Sequence, residues 1–381
     1  MSAADLDVEG FARLVAAVPT GSWQAWIVRL APGDCSRFAT CCREGHIARI
    51  DTIERQLADL AHVRRPAAGA AERDRFVAEA LVAAGDPAAV GTWAYLPWQS
   101  TVVHTLDRDE YFEVITNRNR DKITRAEQQR LRTKRIGVLG LSVGGEAAVT
   151  VAQEHLCGEI VLADFDRLDL SNLNRLQAGV DDLGLAKTTI VARRIARIDP
   201  YLTVRVFEDG VTPTNLAAFL DGLDLLIEEC DSLPIKLQVR EHAKAREINV
   251  VFAADERGFL SVEPYAQWST LRPFHGLVAA PPLPREGYPS PRAFLKALTQ
   301  WLGGWRNISD RSRRSLERVG EALCGYPQLA SEARYAAGQI GHVARRLLLG
   351  ERLQPFVGNL DLAEYLPAHR MDAPVKDADG A

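Results

Sequence analysis

The chain has 381 residues, room for two or three domains at roughly 150 residues each, and 47% hydrophobic with 25% charged residues marks it as globular rather than disordered. No run of about 18 uncharged apolar residues is present to span a bilayer. The net charge of -4, from 46 basic and 50 acidic residues, gives no whole-molecule attraction for nucleic acid or an acidic membrane, so any anion site must be local.

At the amino end, Asp5, Asp7 and Glu9 occupy the place where a secretory signal carries basic residues, so a cytoplasmic protein is expected. Apolar residues at i, i+3 and i+4 spacing predict two amphipathic helices, Ile50 to Arg65 and Ala71 to Ala84, packed on each other across a turn at Pro66 to Ala70. Trp93 to Trp98 and Val102 to Leu106 are rich in aromatic and β-branched residues and read as strands. Asn117 to Arg135 is basic and reads as a solvated helix face whose individual arginines can do more. From Arg135 to Tyr265, five short apolar runs, RIGVLG, EIVLAD, TVRVF, LDLLIEECD and NVVFAAD, alternate with helical patterns. That rhythm predicts a parallel sheet with its ligand loops on the carboxyl edge. The segment Ala279 to Pro291 holds five prolines and reads as an extended loop, helical patterns run from Ala293 to Leu349, and the tail from Asp372 is expected to fray.

The expected fold is α/β, a Rossmann-like mainly parallel sheet with helices on both faces, plus an N-terminal α/β module and a C-terminal helical extension. The boundaries read as 1–116, 117–270, 271–371 and a tail at 372–381. The six cysteines, Cys35, Cys41, Cys42, Cys157, Cys230 and Cys324, make no CxxC pair and read as reduced thiols without a zinc site. Cys230 and Cys324 both read as core thiols.

The first strand of the sheet runs into Gly140-Leu-Ser142-Val-Gly144-Gly145 and then a helix. Two chemistries use such a turn: a glycine loop presenting N-H groups to phosphate, and the G-x-S-x-G elbow of a serine hydrolase with Ser142 as nucleophile, Asp231 as acid and His242 or His275 as base. The second strand favours the nucleotide. It ends in Asp164, 24 positions after Gly140, where a ribose acid belongs. After it come Asp166, then Ser171-Asn172-Leu-Asn174-Arg175, a neutral donor and a guanidinium fork suited to phosphate. Lys187 opens the next helical pattern, and the fourth strand ends in Cys230-Asp231, an acid able to contact a metal ion or to cap the helix that begins near Leu233.

In this order the residues resemble the ThiF/MoeB/HesA adenylyltransferases, relatives of the ubiquitin-activating enzymes, over about Asn117 to Tyr265. The resemblance implies ATP and Mg2+ as cofactors, with Asp164 on the ribose, Asn172, Arg175 and Lys187 on the phosphates and Asp231 on the metal. It implies a homodimer in which Arg120, or in reserve Arg118, reaches the partner's phosphates. The activity it implies is adenylation of a carboxylate: the C-terminus of a small protein or peptide, or a small-molecule acid. Val250 to Gly258 and Pro327 to Ser331 resemble a bacterial branch of ThiF-like proteins found with nitroreductase-like partners. The family's zinc CxxC pairs and a clear thioester cysteine are missing, which leaves a silent nucleotide-binding scaffold as an alternative.

Overall fold

The computed structural model describes residues 5–18, 21–278, 282–301 and 303–366. Strands β1 (Trp26–Val28), β2 (Ala48–Ile50), β3 (Thr92–Leu96) and β4 (Thr101–Thr105) form a sheet in the order β1-β3-β4-β2, with β2 parallel to β4 and the other pairs antiparallel. Helices α1 (Val8–Ala17) and α2 (Cys35–Glu44) cover it through Phe11 and Phe38 against Trp93 and Tyr95. Helices α3 (Ile53–Arg64) and α4 (Ala70–Ala84) bury Leu57 and Leu60 against Phe76 and Leu81, the mutual packing expected from their apolar stripes. This module docks on the rest of the chain partly through the Tyr201 hydroxyl, which donates to the Leu106 carbonyl at 2.6 Å.

Helices α5 (Arg108–Ile115) and α6 (Arg125–Leu131) lead into the central sheet, and a Thr124/Glu127 capping box fixes where α6 starts. The sheet runs β11-β10-β9-β8-β5-β6-β7. Its parallel part is β5 (Arg135–Leu139), β6 (Glu159–Ala163), β7 (Thr203–Phe207), β8 (Leu225–Glu228) and β9 (Asn249–Ala254), the five runs read from the sequence. Strands β10 (Phe259–Glu263) and β11 (Phe356–Asn359) extend it antiparallel beyond β9. Helices α7 (Val143–Gln153) and α8 (Lys187–Ile198) cover one face, with α9 (Leu216–Leu220) and α10 (Leu233–Ala245) on the other. Both faces are therefore buried, and the strands need continuous apolar runs rather than alternation.

The C-terminal part is the expected helical extension with one strand added. Helices α11 (Pro291–Trp301) and α12 (Asp310–Arg318) are separate from the sheet core, but α13 (Ala330–Leu348) packs on α7 inside it. Small residues allow that closeness: a Cβ on Gly341 would sit 3.1 Å from the Thr150 methyl. After α13 the chain adds β11 to the sheet edge, a four-residue strand too short for periodicity to reveal. The tail expected to fray, 372–381, lies outside the described residues, as does 279–281 of the proline-rich loop. Among the described residues no helix is long and apolar enough to cross a membrane.

Candidate functional site

The carboxyl edge of the parallel strands opens into a cavity of about 1000 Å³. Gly140 makes the turn from β5 at a φ of +84°, and a Cβ there would lie 2.5 Å from the Glu229 carbonyl carbon, so any side chain would force the turn away from the end of β8. Leu141, Ser142 and Val143 follow on the cavity wall. Ser142 makes no side-chain cap at the start of α7, which leaves the first N-H groups of an eleven-residue helix available to an anion. Gly144 and Gly145 sit behind that wall: their Cβ positions would meet Val138 at 3.1 Å and Val191 at 3.0 Å, so they let α7 pack closely instead of lining the cavity.

Asp164 ties the two loops together. Its Oδ2 accepts from the Leu141 N-H at 2.6 Å and its Oδ1 from the Asp166 N-H at 2.7 Å. Burial pushes its carboxyl above the usual range, against the pull of those bonds and of Lys187. Lys187, 6% exposed, donates to Asp166 Oδ2 at 2.7 Å, an ion pair that joins the start of α8 to the loop after β6. The loop then folds on itself: Asn172 Oδ1 accepts from the Asp169 N-H at 3.1 Å, and Arg175 Nη1 donates to the Ser171 carbonyl at 3.2 Å and to Asn174 Oδ1 at 2.8 Å. Burial pulls the Arg175 guanidinium down, with Asp255 and Asp231 opposing. Gly140, Leu141, Ser142, Val143, Asp164, Asp166, Asn172, Arg175 and Lys187 border the one cavity.

Asp231 borders it too and is exposed. It caps nothing: the N-cap of α10 is Ser232, because Leu233-Pro234 opens the helix one residue later than an Asp231 cap requires. Among the described residues no group of three or more His, Cys, Asp or Glu could hold a metal ion. A single carboxylate beside a phosphate site fits a magnesium ion that arrives with its nucleotide and keeps its waters.

Arg120 is elsewhere. It is exposed, 3.5 Å from Asn117 Oδ1, and its neighbour Asn119 donates to the Glu154 carbonyl just past the far end of α7. Arg118 shares that turn, and neither borders the cavity. The hydrolase arrangement is not assembled either. His242 of α10 bonds Arg246 just past the helix end and His275 Nε2 lies 3.0 Å from Ser261 Oγ, and neither lines the cavity with Ser142. Cys230 borders the cavity with its thiol pushed well up by burial and Glu228, which keeps it protonated. Cys324 is exposed on the rim and is not a core thiol, since α12 stops at Arg318 and the chain turns back through a Val319/Leu323 bridge.

Sequence reasoning missed the other half of the cavity. Its residues come from the loop after β9, Asp255 and Glu256, and from the C-terminal segment. Asn174 Nδ2 donates to the Gln328 carbonyl at 2.8 Å, Glu256 Oε1 accepts from the Ser309 N-H at 2.7 Å, and Glu256 Oε2 accepts from the Tyr326 hydroxyl. The two stretches singled out in the sequence without a role, 250–258 and 327–331, therefore meet here, with Gln328 Nε2 3.4 Å from Asp255 Oδ2.

Residues 116–264 match the family model described as ThiF family. The chain is 40% identical over 282 residues to the uncharacterized protein MT1398 of Mycobacterium tuberculosis, covering 74% of this chain and 39% of that one. It is 32% identical over 124 residues to the tRNA threonylcarbamoyladenosine dehydratase of Haemophilus influenzae, covering 32% of this chain and 48% of that one. It thus spans less than half the length of either relative. The solved structure of the Escherichia coli tRNA N6-threonylcarbamoyladenosine dehydratase TcdA aligns with a TM-score of 0.44 and 21% identity, over 62% of this chain and 94% of that one.

Proposed function

Residues 116–264 are a ThiF family domain, and from that premise we propose that the chain uses ATP to adenylate a carboxylate. The observation that carries this reading is the convergence of the Gly140 turn, Asp164, Asn172, Arg175, Lys187 and Asp231 on one cavity at the carboxyl edge of a parallel sheet. In this reading the α7 N-terminus and Ser142 cradle phosphate while Asp164, already holding both loops, meets the ribose. Lys187 exchanges its bond to Asp166 for a phosphate oxygen, and Arg175 faces the charge that builds on the α-phosphate. Asp231 would hold a magnesium ion, which would supply further charge neutralisation. The substrate carboxylate is ionised at neutral pH and needs no general base.

The partner is a carboxylate substrate, from a small protein, a peptide or a small-molecule acid, and a second copy of this chain. Arg120 lies beyond the far end of α7, so it serves an active site only from a neighbouring subunit. Exchange of labelled pyrophosphate into ATP, dependent on an added acid, tests the activity, and its absence with every class of acid sinks the reading. Arg120→Ala is expected to lower exchange by roughly 10²- to 10³-fold, the usual effect of removing one donor to transition-state charge. Mixing Arg120→Ala with Asp231→Asn subunits is expected to restore part of the activity, because one site of the mixed dimer keeps both residues. A strict monomer with full activity removes Arg120 from the site.

A further inference from the structure

The cavity is larger than the nucleotide site read from the sequence. Its volume of about 1000 Å³ lies at the top of the roughly 300–1,000 Å³ that hold a single small ligand, which leaves room beside ATP. The second half has a different character. Phe252 of β9 and the C-terminal residues Phe294, Leu298, Ile308 and Leu323 give it an apolar wall.

Two polar atoms at the junction of the halves are buried and unanswered. Asp255 is 6% exposed, and its Oδ1 has no hydrogen-bond partner among the described residues. Arg175 Nε, on the same cavity, is likewise buried without a partner, although Nη1 of the same guanidinium is bonded to the loop. A buried acceptor left open costs about 1–3 kcal/mol, so a cavity lined by one such acceptor and one such donor is complementary to a ligand carrying both groups. An acceptor for Arg175 and a donor for Asp255, attached to an apolar body, describe a zwitterion with a hydrophobic side chain.

Resting on the adenylation reading above, we infer that the acid activated here is a free amino acid with an apolar side chain: its ammonium group donates to Asp255 Oδ1, its side chain lies against the C-terminal wall, and its carboxylate faces Arg175 and the α-phosphate. A carboxylate oxygen forms the new bond to the α-phosphorus while the bond from that phosphorus to the bridging oxygen breaks, and pyrophosphate leaves with that oxygen. The ammonium keeps its protons throughout. Gln328 Nε2, 3.4 Å from Asp255 Oδ2, orients the carboxylate from its other side. A peptide C-terminus supplies only one neutral amide N-H at the same position. That is a weaker match to a buried carboxylate, which a cation best keeps ionised.

The test is pyrophosphate exchange by the full chain with leucine, methionine and phenylalanine, each beside its N-acetyl and des-amino analogues and a tripeptide ending in the same residue. Free amino acids are expected to exceed the des-amino acids by about 100-fold or more in kcat/KM, as sites built to bond a polar group reject the analogue lacking it. In Asp255→Asn, with a thermal midpoint no lower than that of the parent, that ratio is expected to fall toward one. Equal rates for leucine and 4-methylpentanoate, or exchange with the tripeptide alone, overturn this assignment and leave the adenylation reading standing. An unchanged ratio in Asp255→Asn also overturns it. No exchange with any acid overturns both.

Discussion

Glu228 closes β8, and Asp255 follows the end of β9, the next strand in the sheet; both are buried carboxylates at the carboxyl ends of neighbouring strands, yet their surroundings differ in kind. Glu228 accepts from Lys236 Nζ at 3.1 Å to each oxygen, from the Cys230 N-H at 2.8 Å and from Arg240 Nη1. Arg240 also donates through Nε to Glu263 at 2.6 Å, and Glu263 accepts from the Tyr265 hydroxyl and the Phe274 N-H at 2.6 Å each. The remaining face of Arg240 stacks 4.0 Å over the Phe274 ring. Burial pushes Glu228 up, but Lys236 and Arg240 outweigh it and hold the carboxyl at about 2. Around Asp255 the balance runs the other way: burial and Glu332 on α13 raise it to about 7 against the pull of Arg175 and Gln328. Paired charges secure the end of β8 against α10, with Arg240 Nη2 itself buried and without a hydrogen-bond partner, whereas Asp255 makes no ion pair among the described residues.

The sharpest way to break this contrast is to remove a cation from the paired network. Arg240→Ala leaves Glu228 with Lys236 alone and Glu263 with no cation, all at 0–3% side-chain exposure. Removing one partner of such a buried pair typically costs about 3–5 kcal/mol. Urea unfolding of the two proteins measures it, and a loss below about 1 kcal/mol means the network is hydrated and contributes little.

The next effect is on turnover and spares stability. Asp231 is exposed and caps no helix, so Asp231→Asn is expected to leave the thermal midpoint within a degree or so of the parent's. Exchange is expected to fall roughly 10²- to 10³-fold if the carboxylate holds the metal against the phosphates. Undiminished exchange at low magnesium removes Asp231 from the site.

Asp255 sharpens the comparison through pH. Its ordinary value is 3.8 and its folded value about 7, so between the two the native state holds a proton that the unfolded chain has lost, and stability falls as pH rises through that window. Asn cannot ionise. Asp255→Asn is therefore expected to match the parent near pH 4 and exceed it by about 1–3 kcal/mol at pH 8, read from thermal or denaturant midpoints. A variant less stable than the parent at pH 8 puts Asp255 with Glu228, as a paired ion that needs its charge.

The sequence made the half of the cavity proposed for the nucleotide legible because its chemistry is local. A strand, a glycine turn and an acid 24 residues later fall on the same sheet edge by topology alone, so Gly140, Asp164, Asn172, Arg175, Lys187 and Asp231 arrive together. The ion pair of Lys187 with Asp166 needed the path of a twenty-residue loop, and Gly144 and Gly145 act through packing that only neighbouring helices define. The other half was not legible because it depends on contacts across 70 to 73 residues, such as Tyr326 with Glu256 and Gln328 with Asp255. Short apolar helices and a turn carry no periodic sign of the wall they build. The same reason hid β11, whose four residues follow Pro355.

The smallest expected effect completes the series. Glu229 follows Glu228, and the alternation of an extended chain sends it to the opposite face, where its stem lies against Gly144 and its Oε1 accepts from the Ala253 N-H at 2.8 Å. Burial raises its carboxyl well above the usual range, with Glu228 and Asp255 adding to the rise and Lys236 and the Ala253 bond opposing it. The three neighbouring acids are therefore pushed differently: Lys236 and Arg240 hold Glu228 low, Asp255 is raised to about 7, and burial favours the neutral form of Glu229. Gln copies a protonated Glu in shape and keeps the oxygen that accepts from Ala253. Glu229→Gln is therefore expected to change stability at pH 6 by less than about 0.5 kcal/mol, the size of a neutral substitution. The sign of the pH dependence follows from the raised value: the parent loses stability as rising pH strips a proton that its native state retains, and the variant does not, so the variant gains on it under alkaline conditions. A variant several kcal/mol weaker at pH 6 would show that Glu229 carries charge in the native state, and the cavity would then hold a cation that its present donors do not account for.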